Sequence, residues 1–130
     1  MPNKIILKKK IFNFKKKKSA EKKILLELKR NKISLICLAG FMKVLSGSFI
    51  KNFKGKILNI HPSLLPKFKG LNTHERDLRN KEKYSGCTVH FVNSKLDSGR
   101  IILQKRVKIS KNDSPKTLTK KILIEEHKLY

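Results

Sequence analysis

Apolar residues along the chain first recur with the period of a helix. Within residues 20–30, the side chains of Ile24, Leu25 and Leu28 form a one-sided apolar stripe among lysines and glutamates. Ser19 precedes this stripe and belongs to the residue types favoured at helix N-caps. The pattern therefore predicts an amphipathic helix over about residues 20–30 that Ser19 caps.

Two later segments are continuously apolar and predict buried strands. ISLICLAG at 33–40 is rich in β-branched residues and stops at a glycine, which is typical of a strand buried on both faces. KILNI at 56–60 predicts a second strand of the same kind. Strands of this type belong to helix-covered parallel sheets.

The segments around and after these strands predict further helices and strands. FMKVLSGSFIKNF at 41–53 suggests short helical turns broken at Gly47, and THERDLRNKEK, from Thr73, predicts a helix with an early glutamate and late lysines. GCTVHFVN at 86–93 alternates in the manner of a strand, and RIILQKRVKIS continues as a strand after the turn at LDSG.

A final helix, LTKKILIEEHKLY, can be capped by Asp113 or Ser114. The predicted order is helix, strand, helix, strand, helix, strand, strand, helix. This order predicts an α/β fold, a partial doubly wound, mostly parallel sheet with an antiparallel C-terminal portion. The length of 130 residues suits a single domain, in which residues 1–18 form a lysine-rich N-terminal segment.

The net charge of +24 arises from 33 Lys and Arg against 9 Asp and Glu. Such a field attracts polyanions, but most of these cations are lysines and there is no Trp, whereas base readout favours arginine and single-strand binding favours aromatic platforms. We therefore expect no specific nucleic-acid recognition.

No apolar run is long enough for a signal peptide or a membrane span. Cys37 and Cys87 lie in apolar stretches without metal-ligand spacing, which favours buried, reduced thiols and a cytoplasmic location. Because no run can span a membrane, no membrane partner is expected.

The candidate chemistry lies where predicted strands end. Asn59 and His61 are two residues apart, so in a β conformation both face one ligand atom. An Asn amide can donate to a developing oxyanion, and a His can donate or exchange a proton near neutral pH. Asp97 follows another strand, and we expect it at the same edge of the sheet, where a carboxylate raises the pKa of His61. Together the three suit addition to a carbonyl without a protein nucleophile.

Each of these residues also has an ordinary structural interpretation. Asn59, and Asp97 within LDSG, are common turn residues, and His61 can serve a strand-end hydrogen bond. His90 is interpreted as a partly buried strand residue or pocket wall, His74 as a helix-surface residue and His127 as an exposed residue. The four histidines show no metal-ligand pattern, so no metal site is predicted.

LAGFMKVLS, ILNIHPSLLPKFKGLNTHERDL, GCTVHFVNSKLDSGRIILQ and EEHKLY resemble, in order and spacing, the phosphoribosylglycinamide formyltransferase family. The resemblance covers Phe14 to Tyr130, roughly the central and C-terminal part of that family. It implies transfer of a formyl group from 10-formyltetrahydrofolate to the amine of glycinamide ribonucleotide, in purine synthesis. No tightly bound cofactor is implied, because the folate acts as a co-substrate. Methionyl-tRNA formyltransferase and formyltetrahydrofolate deformylase are the alternatives within the superfamily, and an inactive basic fragment that binds nucleic acid non-specifically is the alternative outside it.

The resemblance also implies roles for individual residues. His61 is the proton donor that stabilises the oxyanion, Asn59 holds the formyl oxygen, and Asp97 raises the pKa of His61. Glu126 matches a glutamate that contacts the glycinamide end of the substrate. The residues implied to contact the folate are Lys17, Met42, Lys43, Val44, Leu45, Asn59, His90 and Val92.

Two departures from the family pattern stand out. Asn72 occupies a position where relatives often carry His. The family also begins with a strand and a glycine-rich loop that binds the substrate phosphate, whereas the first glycine here is Gly40. We therefore expect residues 1–130 to be one incomplete formyltransferase domain, with the catalytic and folate-binding part in 19–130. The expected partners are the two small-molecule substrates, with the chain a monomer or weak homodimer.

Overall fold

A computed structural model describes residues 9–41 and 43–130, and the chain divides into two compact units, Met1–Ile33 and Ser34–Tyr130. The first unit contains helix α1 (Lys17–Arg30). The helix begins before Ser19, so the prediction that Ser19 caps it is wrong and this serine lies in the first turn. Its last turn carries Arg30 and a neighbouring lysine, whose positive charges interact favourably with the negative end of the helix dipole.

Among the described residues, the second unit contains a four-stranded sheet and three helices. Its elements are β1 (Leu35–Leu38), α2 (Gly47–Asn52), β2 (Lys56–His61), α3 (Thr73–Arg79), β3 (Tyr84–Phe91), β4 (Ile101–Lys108) and α4 (Pro115–Leu129). The strands lie in chain order, β1 parallel to β2 and the other two pairs antiparallel. The predicted element order and the α/β fold class are confirmed. No helix among the described residues combines the length and the apolar character needed to cross a membrane.

One face of the sheet forms the hydrophobic core with α4. Ile60 of β2, with Cys87 and Val89 of β3, packs against Leu118 and Ile122 of the helix. Leu118 and Ile122 are four residues apart, so they lie on one side of α4, and both are fully buried. The core therefore uses alternate strand residues and leaves the opposite face of β2 and β3 for polar groups.

Helix α4 begins at a complete capping box. The Ser114 hydroxyl accepts from the Thr117 backbone N–H, the Thr117 hydroxyl accepts from the Ser114 N–H, and Pro115 occupies the first helical position. Of the two predicted caps, Ser114 is the one used. Asp113 instead accepts a hydrogen bond from Lys121, at 2.7 Å, which fastens the preceding turn to the helix.

Three details of the second unit differ from the sequence predictions. Strand β1 is an edge of the described sheet, and Leu35 is 50% exposed rather than buried. Cys37, on the same strand, is exposed, whereas Cys87 is buried as predicted. Gly47 begins α2, with the Ser46 hydroxyl accepting from the Phe49 N–H, so the prediction of helical turns broken at this glycine is wrong. An apolar run indicates what can be buried, but burial also requires neighbours, and among the described residues β1 pairs on one side only.

Candidate active site

The polar face of β2 and β3 carries the predicted residues. Asn59 and His61 lie on the same face of β2, and His90 of β3 is the cross-strand partner of Asn59. His61 is 5% exposed and His90 is 2% exposed. The prediction that Asn59 and His61 share one face is confirmed by the position of Ile60, which lies between them and points into the core.

Asp97 reaches this face by a route that the sequence analysis did not predict. Strand β3 is antiparallel to β2, and its last residue, Phe91, pairs with Leu58, before the carboxyl end of β2. The prediction that the strand ends share one edge is therefore wrong for β3. The loop at 92–100 instead folds back over the polar face, and the Asp97 Oδ2 atom lies 3.4 Å from His61 Nδ1. The convergence of amide, imidazole and carboxylate is as expected.

The backbone around Asp97 is held in a specific conformation. Its φ of 47° lies in the left-handed region, which Asp tolerates better than most residues. The backbone N–H of Gly70 donates to Asp97 Oδ2 at 2.8 Å. A β-carbon at Gly99 would collide with the carbonyl oxygen of Phe91, so the end of the loop packs directly on strand β3. These constraints fix the carboxylate beside His61.

His61 experiences two opposing influences. Nδ1 faces the Asp97 carboxylate, and Nε2 lies 2.8 Å from the carbonyl oxygen of Phe68. Both neighbours are acceptors, so both are satisfied only when the two ring nitrogens carry protons. Burial of the ring is nevertheless the largest effect and lowers the pKa of His61, while the Phe68 carbonyl and Asp97 raise it. The direction of the Asp97 effect is as expected, and burial outweighs it, so the pKa of His61 lies below its ordinary value.

The loop that supplies the Phe68 carbonyl is itself held in place by Arg76 of α3. The Arg76 guanidinium lies over the Phe68 ring, 5.5 Å from its centroid, and donates to the carbonyl oxygen of Lys69. Phe68 and Arg76 are not among the residues predicted for the site. No sequence signal marks them, because their contribution is a carbonyl and a stacking contact between segments distant in the chain.

A cavity of about 670 Å³ opens beside His61. Its walls come from the strand-end segments, the loop before α3 and the last turns of α4, including Glu126. Burial raises the pKa of Glu126. His74 also lines this cavity and is half-buried, so its interpretation as a helix-surface residue is wrong, and burial lowers its pKa. His127 is exposed as expected, and it also lines the cavity.

A smaller cavity of about 50 Å³ adjoins the first and shares Asn59 with it. The residues expected to contact the folate that line it are Lys43, Val44, Leu45, Asn59, His90 and Val92. Met42 lies outside the described residues. Lys17 is an exposed residue of the first unit, at the first position of α1.

The chemistry available here is that of polarising and protonating groups. Among residues 9–41 and 43–130 no three His, Cys, Asp or Glu side chains are grouped so that they could hold a metal ion. Burial raises the pKa of the Cys87 thiol to about 11, which leaves it protonated and a poor nucleophile at neutral pH. An amide, an imidazole and a carboxylate around an open cavity are suited to stabilising an oxyanion during attack on a carbonyl by an external nucleophile.

Comparison with known proteins gives a consistent result. Residues 1–130 match the family described as "Formyl transferase". The phosphoribosylglycinamide formyltransferase of Escherichia coli K12 is 38% identical over 117 residues, which cover 90% of this chain and 55% of that protein. The human trifunctional purine biosynthetic protein adenosine-3 is 49% identical over 105 residues, which cover 81% of this chain and 10% of that protein.

Solved structures extend the similarity to the fold. The phosphoribosylglycinamide formyltransferase of Bacillus halodurans superposes with a TM-score of 0.84 at 40% identity, covering 89% of this chain and 60% of that one. The Brucella melitensis enzyme superposes with a TM-score of 0.82 at 48% identity, covering 90% and 60%. The chain thus spans a little over half the length of these single-enzyme relatives.

Proposed function

Because the chain belongs to the formyl transferase family, we propose that it carries the formyl-transfer centre of a phosphoribosylglycinamide formyltransferase. The observation that carries this proposal is the placement of Asn59, His61 and Asp97 around one cavity, with the carboxylate 3.4 Å from the imidazole. The proposed donor is 10-formyltetrahydrofolate, and the proposed acceptor is the primary amine of glycinamide ribonucleotide.

In the proposed reaction the amine nitrogen attacks the formyl carbon and forms a new C–N bond. The carbonyl oxygen becomes an oxyanion, which accepts hydrogen bonds from the Asn59 amide and from a ring N–H of His61. The intermediate collapses by breaking the bond from the formyl carbon to N10 of the folate. A proton moves to N10, the attacking nitrogen loses one, and the products are formylated amine and tetrahydrofolate.

The electrostatics of His61 suit this role without a permanent charge on the ring. Neutral imidazole still donates from one nitrogen, and the Phe68 carbonyl is the acceptor in this structure. The proposal requires this bond to be exchanged for one to the formyl oxygen. Burial lowers the pKa of His61, whereas the negative charge that develops on that oxygen raises it. Protonation of the ring therefore becomes easier as the reaction proceeds.

The two cavities suggest where each substrate binds. We assign the folate ring to the region where the two cavities meet, beside Val44, Leu45 and Val92, because the smaller cavity alone is too small to hold it. We assign the glycinamide end to the larger cavity, where Glu126 faces the same space as His61. Asn59 lines both cavities, which is the position required of a group that contacts the atom being transferred.

The test measures formyl transfer to glycinamide ribonucleotide, together with calorimetric binding of a non-reactive folate analogue. We expect His61→Ala and Asn59→Ala to reduce turnover by about 100-fold or more, the usual effect of removing a proton donor or an oxyanion donor. Asn52→Ala is the control, because Asn52 is exposed and its side chain donates to Ser48 within α2.

Four outcomes would contradict the proposal. Unchanged turnover in both variants removes the assigned roles. Transfer to water alone identifies a deformylase, and transfer to methionyl-tRNA identifies the other transferase. Binding of any polyanion that disappears at moderate salt, without competition from the folate analogue, favours a basic chain without this activity.

A further inference from the structure

His90 is buried beside Asn59, and the proposed transfer gives it no direct role. Its side chain is 3% exposed, and it faces Asn59 across the pairing of β2 and β3. The pairing of β3 with β4 shifts register at Val89 and His90, an irregularity of the kind that re-aims side chains near functional sites.

The contacts of His90 determine its tautomer. Nδ1 lies 2.9 Å from the carbonyl oxygen of Phe91, which can only accept, so Nδ1 carries a proton. In the neutral ring Nε2 is then an acceptor with a free lone pair. The Nδ2 atom of Asn59 lies 3.4 Å from Nε2 and donates to it.

These contacts favour one of the two orientations of the Asn59 amide. Rotating the amide by half a turn would place its oxygen against the Nε2 lone pair. Asp97 Oδ1 lies 3.8 Å from the same nitrogen, so the oxygen would also approach a carboxylate. Acceptors facing acceptors in a buried site are costly, because a desolvated polar group is left without its hydrogen bond. The amide nitrogen is therefore kept on the side of His90.

We propose that His90 is a positioning residue that fixes the Asn59 amide with its N–H group directed toward the formyl oxygen. The identity of that oxygen rests on the proposed function. The orientation of the amide rests only on the contacts of His90 with Asn59 and Phe91. The resemblance placed His90 among the folate-contacting residues, and this role differs, since His90 acts through Asn59.

The first test uses the wild-type chain without any ligand. Multiple-bond ¹H–¹⁵N NMR of the imidazole identifies which ring nitrogen carries the proton. We expect the Nδ1–H tautomer for His90 at neutral pH and a coupling from the Asn59 side-chain amide to Nε2. The Nε2–H tautomer would overturn the proposal, because that nitrogen could not accept from Asn59.

The second test compares two folate analogues that differ only in a formyl group on N10. A His90→Leu variant removes the acceptor, and we expect its preference for the formyl-bearing analogue to fall by about 2- to 10-fold, the range for one hydrogen bond. His90→Gln should retain the preference, because its amide oxygen can accept the same N–H. Val89→Ala is the matched control, since it loosens the same strand from the core side.

The outcomes separate positioning from general structural support. Equal weakening of both analogues in His90→Leu, or an unchanged preference, would overturn the proposal. Loss of the formyl preference in Asn59→Ala, with no further loss in the double variant, would support it. If the wild-type chain binds neither analogue, the proposed function fails, and the tautomer measurement alone decides the orientation of Asn59.

Discussion

His61 shows how one residue can combine partners that favour its charge with burial that opposes it. Because its pKa is lowered from the ordinary value of 6.5, the folded chain binds fewer protons there than the unfolded chain. The corresponding stability is present above pH 6.5 and is lost as the pH falls through the lowered pKa. Burial and the proximity of His61 also lower the pKa of His74. Acid therefore reduces the stabilities that depend on these two neutral rings over the same pH range.

Asp97→Asn should lower the pKa of His61 further. The substitution removes the negative charge that raises this pKa and leaves burial, the largest effect, in place. NMR titration of the His61 ring protons measures the change directly. Asp113→Asn is the control, because Asp113 interacts with Ser110, Thr117 and Lys121 rather than with His61. A higher pKa for His61 in Asp97→Asn would mean that Asp97 does not act on the ring as a charge.

At the scale of elements, the loop at 92–100 determines whether the site forms. Gly99→Ala should destabilise the chain by at least about 3 kcal/mol or prevent folding, because the new β-carbon meets the carbonyl oxygen of Phe91. Gly47→Ala is the matched control. A β-carbon added at Gly47 would have its nearest described neighbour, Ser94, at 3.9 Å, and Ala favours the first turn of α2, so we expect a gain of up to about 1 kcal/mol.

Urea unfolding of the two glycine variants measures these free energies, and NMR of His61 reports whether Asp97 still reaches it. An equal effect of both substitutions would show that the packing of the loop on Phe91 does not constrain the fold. A stable Gly99→Ala variant with an unchanged His61 resonance would show that the loop can be rebuilt without this contact.

The elements themselves are largely encoded locally, which is why their order could be predicted. The period of Leu118 and Ile122 identifies α4, and the alternation of Cys87 and Val89 identifies β3 and its core face. The exposure of Leu35 could not be predicted in this way, because it depends on which neighbours lie beside β1.

The candidate site also combines features that the local sequence predicts with features that depend on distant contacts. The residue types of Asn59, His61 and Asp97 suggest carbonyl chemistry, and their spacing suggests that two of them share a face. The path of the loop that carries Asp97, and the carbonyl of Phe68 on His61, depend on contacts between segments distant in sequence. The net direction of the pKa of His61 depends on burial, which no local pattern specifies.

For the whole molecule, the dominant physical feature is its charge. The net charge of +24 places many like charges on a small chain, and most of the lysines are exposed. Ion pairs such as Lys67 with Glu82, at 3.1 Å, lie at the surface and contribute little each. Repulsion among the remaining cations therefore opposes the compact state, since unfolding moves these charges apart.

Raising NaCl from about 20 mM to about 300 mM should stabilise the fold. The Debye length shortens from roughly 20 Å to less than 8 Å over this range, so repulsion across the surface is screened while the core is unaffected. Urea, which carries no charge, is the suitable denaturant. With a slope of about 2 kcal/mol per molar urea, a gain of about 1 kcal/mol moves the midpoint by about 0.5 M.

KCl at the same concentrations is the control, because screening depends on ionic strength rather than on the cation. A midpoint that falls with salt would show that attractive pairs outweigh repulsion, despite the excess of 33 basic over 9 acidic residues. The buried pair of His61 and Asp97 should respond least, because low exposure shields it from mobile ions. The pKa of His61 should therefore change little over a range of salt that visibly changes stability.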